Sequence, residues 1–312
     1  MSVDIVKLGN PDKHCAPGVK GTKESCYTII DLKVIADAYN SRHPDNEIPQ
    51  KILDEGDFNK IYNIIDEKLK TCESDEVCFS KKVGLSGDFV KNIFKPLGPV
   101  NNEWLSNVDI ANVMEQYERS FKHFAFYGPC SSDLFLNHVK KIFDVPDKFD
   151  EMIYGIKVGD SKSVIQTKKN KPEKTLLGII FNTDPHNKGG AHWVTLTISI
   201  LDNIVFFDYF DSVGKMPNDN IAKSIVELID KCIIQYPNKS VHFRVNRTQH
   251  QNENSECGVY SIIHILKLLN NEKWENIVKD VITDKEIQIL RANLLFRTSD
   301  RRPHDKGGAL DP

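Results

Sequence analysis

The chain has 312 residues, 40% hydrophobic and 27% charged, an ordinary globular composition for one large domain or two smaller ones. A net charge of -3 excludes a strong overall field toward nucleic acid or membrane and leaves only local basic patches. The opening MSVDIVKLGNPDKHCAPG lacks the apolar core of a signal peptide, and no apolar run is long enough for a bilayer, so no membrane partner is expected.

In chain order, YTIIDLKVIADAYN (27–40) and DFNKIYNIIDEKLK (57–70) place apolar residues three and four apart, which predicts helices. CESDEVCFSKK (72–82) reads as an exposed, acidic-then-basic connector. The prolines and glycine of FKPLGPVNN (94–102) break any helix and place a domain junction near residue 98. WLSNVDIANVMEQYERSF (104–121) reads as a helix, and TLLGIIFNTD (175–184), an apolar run between turn formers, as a buried strand.

HWVTLTISIL (192–201) alternates, with His192, Val194, Leu196, Ile198 and Ile200 on one face and Trp193, Thr195, Thr197 and Ser199 on the other. A tight Asp202–Asn203 turn leads to the next strand, NIVFFDYFDS (203–212). NIAKSIVELIDKCIIQYP (220–237) reads as an amphipathic helix, VHFRVNR (241–247) as a strand, and a last helix begins at Cys257. Strands grouped between helices predict an α+β fold rather than a doubly wound sheet. The expected organisation is a helical arm domain over 1–98, a core over 99–300 and a flexible tail over 301–312.

The seven cysteines are an odd, scattered set. His14, Cys15, Cys26, Cys72 and Cys78 contain no C-x-x-C pair and match no common zinc spacing, so free, reduced thiols and no metal are expected. No phosphate loop or H-E-x-x-H motif is present, and no cofactor is expected.

One constellation carries chemistry. Cys257 opens a helix, where unpaired N–H groups and the helix dipole favour a thiolate. Gly258 lets a substrate backbone approach with no side chain in the way. His192 begins a strand after the flexible loop HNKGGA, and an acidic orienter follows at Asp208 or Asp211. Glu253 and Glu256 oppose the thiolate by adding negative charge nearby. Read without those partners, Cys257 is a small buried hydrophobe and His192 a core histidine.

The ordered set AHWVTLTI, FFDYFDSVG and QNENSECGVY resembles the clan of cysteine proteases that includes the SUMO-specific proteases and the adenovirus maturation protease. FKPLGPVNN and FNTD also look like segments of the African swine fever virus polyprotein protease, a viral member of that clan. The resemblance covers roughly residues 94–296. It implies a papain-like core, a central mixed sheet flanked by helices, with an N-terminal helical arm. It selects Asp211, which precedes Ser212, over Asp208, whose opposite strand parity leaves it an exposed or capping carboxylate. By the same resemblance Cys257 is the nucleophile, His192 the base and Asp211 the tautomer-fixing acid. Gln251 is the oxyanion donor, with Gln249 the alternative at the wrong spacing. Trp193 either packs under the site or lines the substrate channel, and Asn182 and Gly258 are further substrate-binding candidates.

The implied activity is a thiol endopeptidase that cuts viral structural polyproteins or core proteins at Gly-Gly-X sites during virion maturation, in the virion and host cytoplasm. The resemblance also implies weak DNA association, since DNA-assisted maturation is known in the adenovirus relative. The alternatives are a deconjugating protease for a ubiquitin-like modifier and a non-catalytic virion or DNA-binding protein on a protease fold. KGGA occurs twice, at 188–191 and 306–309, so Gly307–Gly308 is also a possible self-processing site.

Overall fold

The computed structural model describes residues 14–22, 24–85, 87–99, 103–133 and 174–297. The C-terminal tail with its second KGGA lies outside the described residues. By their contacts the described residues form two compact units, 99–291 and 14–98 with 292–297.

The second of these is helical, with α1 (Ile29–Asn40), α2 (Gln50–Glu55), α3 (Phe58–Lys68), α4 (Glu76–Lys82) and α5 (Gly87–Ile93). Its helix starts are written locally. Thr28 and Asp31 form a capping box on α1, and Asp57 accepts from the Lys60 N–H at the head of α3. Tyr27, Leu32, Ile35, Ile61, Ile65, Val77, Phe79 and Phe94 share one core.

Two expectations fail in this unit. Residues 72–82 are not an exposed connector, because Asp75 caps α4 and the helix buries Val77 and Phe79. Glu76, acidic but buried, accepts from the Ser25 hydroxyl and from the Cys26 N–H. Nor are all the thiols free: Cys15–Cys26 and Cys72–Cys78 are disulfides. Folding brings these pairs to Cα separations of 5.2 and 5.6 Å, which sequence spacings of 11 and 6 do not reveal. Cys130, Cys232 and Cys257 remain thiols.

The other unit is built on a five-stranded sheet in the order β1 (Phe124–Ser131), β2 (Leu176–Asn182), β3 (Trp193–Ile200), β4 (Ile204–Phe210) and β5 (Ser240–Val245). The β1–β2 and β4–β5 pairs are parallel and the inner pairs antiparallel, so the sheet is mixed and the fold is α+β as the sequence indicates. Strand β1, which the sequence reading missed, contains Gly128 and Pro129. An edge position and a register shift between Tyr127 and Cys130 accommodate them.

Around the sheet run α6 (Asn107–Ser120), α7 (Asp219–Gln235), α8 (Cys257–Leu269), α9 (Trp274–Lys279) and α10 (Asp284–Leu290). Val194, Leu196 and Ile198 of β3, with Phe207 and Tyr209 of β4, pack on Ile221, Ile225 and Leu228 of α7. The opposite face carries Thr195 and Thr197, which are equally buried. Thr195 donates to the Ser261 carbonyl of α8 at 3.2 Å, and Phe210 stacks on His264 of the same helix. Period two on β3 therefore separates two interior faces. Helix α8 is apolar nearly all round and is the buried central helix of the unit.

Candidate active site

Antiparallel pairing of β3 with β4 sets the start of one strand beside the end of the other, as in the Thr195–Phe210 pair. His192 lies one residue before β3 and Asp211 one residue after β4. His192 Nε2 donates to Asp211 Oδ1 at 2.8 Å, and that oxygen also accepts from the Val213 N–H at 2.9 Å. Asn246, fully buried, donates its side-chain N–H to the Asp211 carbonyl at 2.8 Å and holds the turn from behind. With Nε2 committed to the carboxylate, Nδ1 is left for Cys257, the first residue of α8, whose sulfur interacts with the imidazole.

Burial opposes the imidazolium. The Asp211 hydrogen bond and then the Cys257 interaction outweigh it and raise the His192 pKa to about 9. The ring is therefore a strong base toward the thiol and keeps its proton once it has taken it. The Glu256 carboxylate accepts from Ser255 and from Gln288.

Gln251 is buried between Ser212, which donates to its Oε1 at 2.6 Å, and the Glu253 carbonyl, which takes one Nε2–H at 2.6 Å. The second Nε2–H remains to be donated. Gln249 serves the loop instead, donating to the Gln251 carbonyl at 3.0 Å.

Trp193 lies both in the interior and at a groove. It is mostly buried, donates Nε1–H to the Leu105 carbonyl at 2.9 Å, and lines a groove of about 530 Å³ with Trp104, Leu105, Pro129, Asn182, Gly189 and Gly190. Asn182 shapes this groove by bracing its loop, accepting from the N–H groups of Asp184 and Ala191 at 2.9 and 3.1 Å. Gly190, at φ 86°, passes so close that a Cβ would lie 2.9 Å from the Asn182 side chain. Across the groove His186 is clasped to Asp133.

Two expectations need correcting. Gly258 does not open space for substrate: it is buried, and a Cβ there would meet Leu105 at 3.1 Å and Trp193 at 3.3 Å. It is small so that those two side chains can close over the start of α8. Asp208 is neither exposed nor capping. It is fully buried, with the Arg244 guanidinium bound to both its oxygens at 2.6 and 2.8 Å and stacked 3.9 Å over Phe206. Parity does send it to the α8 side of the sheet, but a cation from β5 meets it there.

The site thus holds a thiol, a basic imidazole, a carboxylate and an amide donor near a groove of mixed polar and apolar lining, which is a constellation for acyl transfer through sulfur. Residues 134–302, which contain His192, Asp211 and Cys257, match the Ulp1 protease family, C-terminal catalytic domain. The chain belongs to the Ulp1 protease family. It is a cysteine protease. A protein of Acanthamoeba polyphaga mimivirus that bears the name of a thiol protease is 28% identical over 302 residues, 90% of this chain and 92% of that one. An African swine fever virus protein that bears the name of a SUMO-1 cysteine protease is 24% identical over 202 residues, 64% of this chain and 71% of that one. The crystal structure of the African swine fever virus protease superposes with a TM-score of 0.63 at 20% identity. It covers 93% of this chain and 97% of its own, a likeness of fold.

Sequence reasoning missed Trp104, Leu105, Asp133, Ser212 and Asn246 as parts of the site. Trp104 and Leu105 precede a capping box (Ser106–Asp109), a local signal for a helix start that does not say what the helix faces. Asp133 and Asn246 gave no signal, since their partners lie 53 and 35 residues away.

Among the described residues no group of three or more His, Cys, Asp or Glu could hold a metal ion, and no helix is long and apolar enough to cross a membrane.

Proposed function

We propose that Cys257 is the nucleophile of a viral maturation endopeptidase that cuts structural polyproteins or core proteins after Gly-Gly. His192 Nδ1 takes the thiol proton and the thiolate attacks the scissile carbonyl. The oxyanion is received by the Cys257 N–H and the free Nε2–H of Gln251. His192 then protonates the leaving amine, and water, deprotonated by the same ring, hydrolyses the thioester. Asp211 holds the ring in the Nε2–H tautomer throughout.

The observation that carries the substrate reading is the groove lined by Trp193 and Leu105, both of which pack against Gly258, the residue after Cys257. A chain entering there passes beside an indole and must present small residues next to the sulfur. The matches to proteins of two large DNA viruses support a viral substrate, with action in virions and host assembly sites. We assign the helical unit, 14–98 with 292–297, to an arm domain and residues 99–291 to the protease core.

A second reading, deconjugation of a ubiquitin-like modifier, is favoured by the SUMO-1 protease name of the African swine fever virus relative. One experiment separates the two. Capsid and core precursors from the same genome that carry Gly-Gly-X sites, and a SUMO C-terminal fusion, are incubated with the enzyme and with Cys257→Ala. Sequencing of new N-termini at X in the precursors alone supports maturation, cleavage of the SUMO fusion alone supports deconjugation, and equal cleavage by Cys257→Ala overturns both.

A further inference from the structure

We propose that Asp284 is a positioning residue for the oxyanion donor, holding Gln251 in register with Cys257 through the backbone of Asn252 and Glu253. The proposal rests on the reading of Gln251 as that donor.

The side-chain amide of Gln251 has two ends, and only one of them can stabilise an anion. The Glu253 carbonyl decides which end is presented. A carbonyl oxygen can only accept, so it must face Nε2, which it does at 2.6 Å. Oε1 is then turned to Ser212, whose hydroxyl can donate and does. The reversed amide would set two oxygens against each other. The orientation of the donor therefore depends on the placement of the Glu253 peptide.

That peptide lies in an exposed loop between β5 and α8, outside any helix or strand. Asp284 fixes it. One carboxylate oxygen accepts from the Asn252 N–H at 2.9 Å and from the Glu253 N–H at 3.1 Å. The other meets the Tyr260 hydroxyl at 3.0 Å. Tyr260 is buried on α8, three residues beyond Cys257. One carboxylate thus ties the loop that carries the donor to the helix that carries the nucleophile, with charge-assisted bonds to two adjacent amides.

Capping of α10 does not call on the Asp284 side chain. The start of α10 is capped by Thr283 and Glu286 through their own reciprocal bonds. The same helix grips the far end of the loop, where Gln288 donates to Glu256. Releasing the Asp284 end frees the Glu253 carbonyl to turn. Displacements of about 1 Å in a catalytic group can cost on the order of 100-fold in rate.

The test compares wild type, Asp284→Ala, Gln251→Ala and the double variant on a Gly-Gly-X peptide and with iodoacetamide. Alkylation by iodoacetamide needs the thiolate but forms no oxyanion. Asp284→Ala is expected to lower kcat about 10- to 100-fold with KM within about twofold, and to leave the rate of Cys257 alkylation within about twofold. On the Gln251→Ala background the same change is expected to cost less than about twofold, because both act on one donor. Asp284→Asn, which keeps an oxygen for the two amides, is expected to recover most of kcat.

Wild-type kcat in Asp284→Ala, a parallel loss of alkylation, or multiplicative effects with Gln251→Ala would each overturn the proposal. Undiminished kcat in Gln251→Ala removes the oxyanion assignment and the role of Asp284 with it. If Asp284→Ala does not fold, Asp284→Glu carries the test, since a longer arm with the same charge should lower kcat about tenfold. Amide hydrogen exchange needs no substrate and so separates failure here from failure of the Gly-Gly reading. Exchange at Asn252 and Glu253 should quicken at least about tenfold in Asp284→Glu with α8 unchanged, and unchanged exchange at both amides rules the clamp out.

Discussion

The two units use cysteine in opposite ways. In the helical unit four cysteines are consumed in two disulfides, and in the sheet unit Cys130, Cys232 and Cys257 are all thiols. The helical unit rests on short helices, several of only six or seven residues, which are marginal alone. Cross-links compensate by restricting its unfolded chain. The sheet unit buries a central helix against a five-stranded sheet and needs no such help, so its thiols are available for chemistry or packing. In one unit sulfur is structural, and in the other Cys257 is placed to react.

The sharpest break of that contrast comes at Cys257. Cys257→Ala removes one sulfur from a buried site and should abolish cleavage, a loss of roughly 10⁴ or more in kcat by analogy with triad nucleophiles. Its thermal midpoint should stay within about 4 °C of wild type. Residual turnover near wild type would reassign the nucleophile.

Two carboxylates three positions apart test whether function and stability separate within the sheet unit. Asp211→Ala should reduce kcat by roughly 10³ to 10⁴. Asp208→Ala should leave Arg244 without its buried partner and cost about 3 kcal/mol in unfolding free energy, with a far smaller effect on kcat of the folded enzyme. Denaturant melts and single-turnover rates on both variants decide it, and equal kcat losses would sink the distinction.

The disulfides should matter to one unit only. Replacing both pairs by serine should lower the stability of the helical unit, by about 3 kcal/mol for Cys15–Cys26 and about 2 kcal/mol for Cys72–Cys78 in the loop-entropy picture. Hydrogen exchange should show the loss in α1 to α5, with exchange in β2 to β4 unchanged. Uniform destabilisation would mean that the units do not unfold separately.

The smallest expected effect is on pH dependence. The His192 pKa of about 9 places the alkaline limb of kcat/KM there, because the ring must carry the thiol proton to protonate the leaving amine. In Asp211→Asn the limb should move to lower pH. The sign for stability follows from linkage. A folded pKa above the ordinary 6.5 stabilises fully below about 6.5, and that contribution is lost as pH rises through about 9. A limb unmoved by Asp211→Asn would detach the carboxylate from the ring.

Much of this molecule was legible in local pattern. Period two in HWVTLTISIL and NIVFFDYFDS marks β3 and β4, and spacings of three and four mark α1, α3, α6 and α7. His192 and Cys257 stood out as residue types at element ends, while the choice of Asp211 over Asp208 and of Gln251 came from the resemblance. The fold brings His192 to Asp211 and Ser212 to Gln251. Side-chain periodicity and turn chemistry act over a few residues, so sequence alone determines them. What it did not determine are pairings across long separations. Cys15 with Cys26, Cys72 with Cys78, Asp208 with Arg244, and Leu105 closing over Gly258 all depend on which surfaces meet. The same holds for Asp284, whose partners at 252 and 253 precede it by about thirty residues. Only the tertiary structure decides such contacts, because a carboxylate or a thiol is locally the same whether its partner is water, a cation or another sulfur.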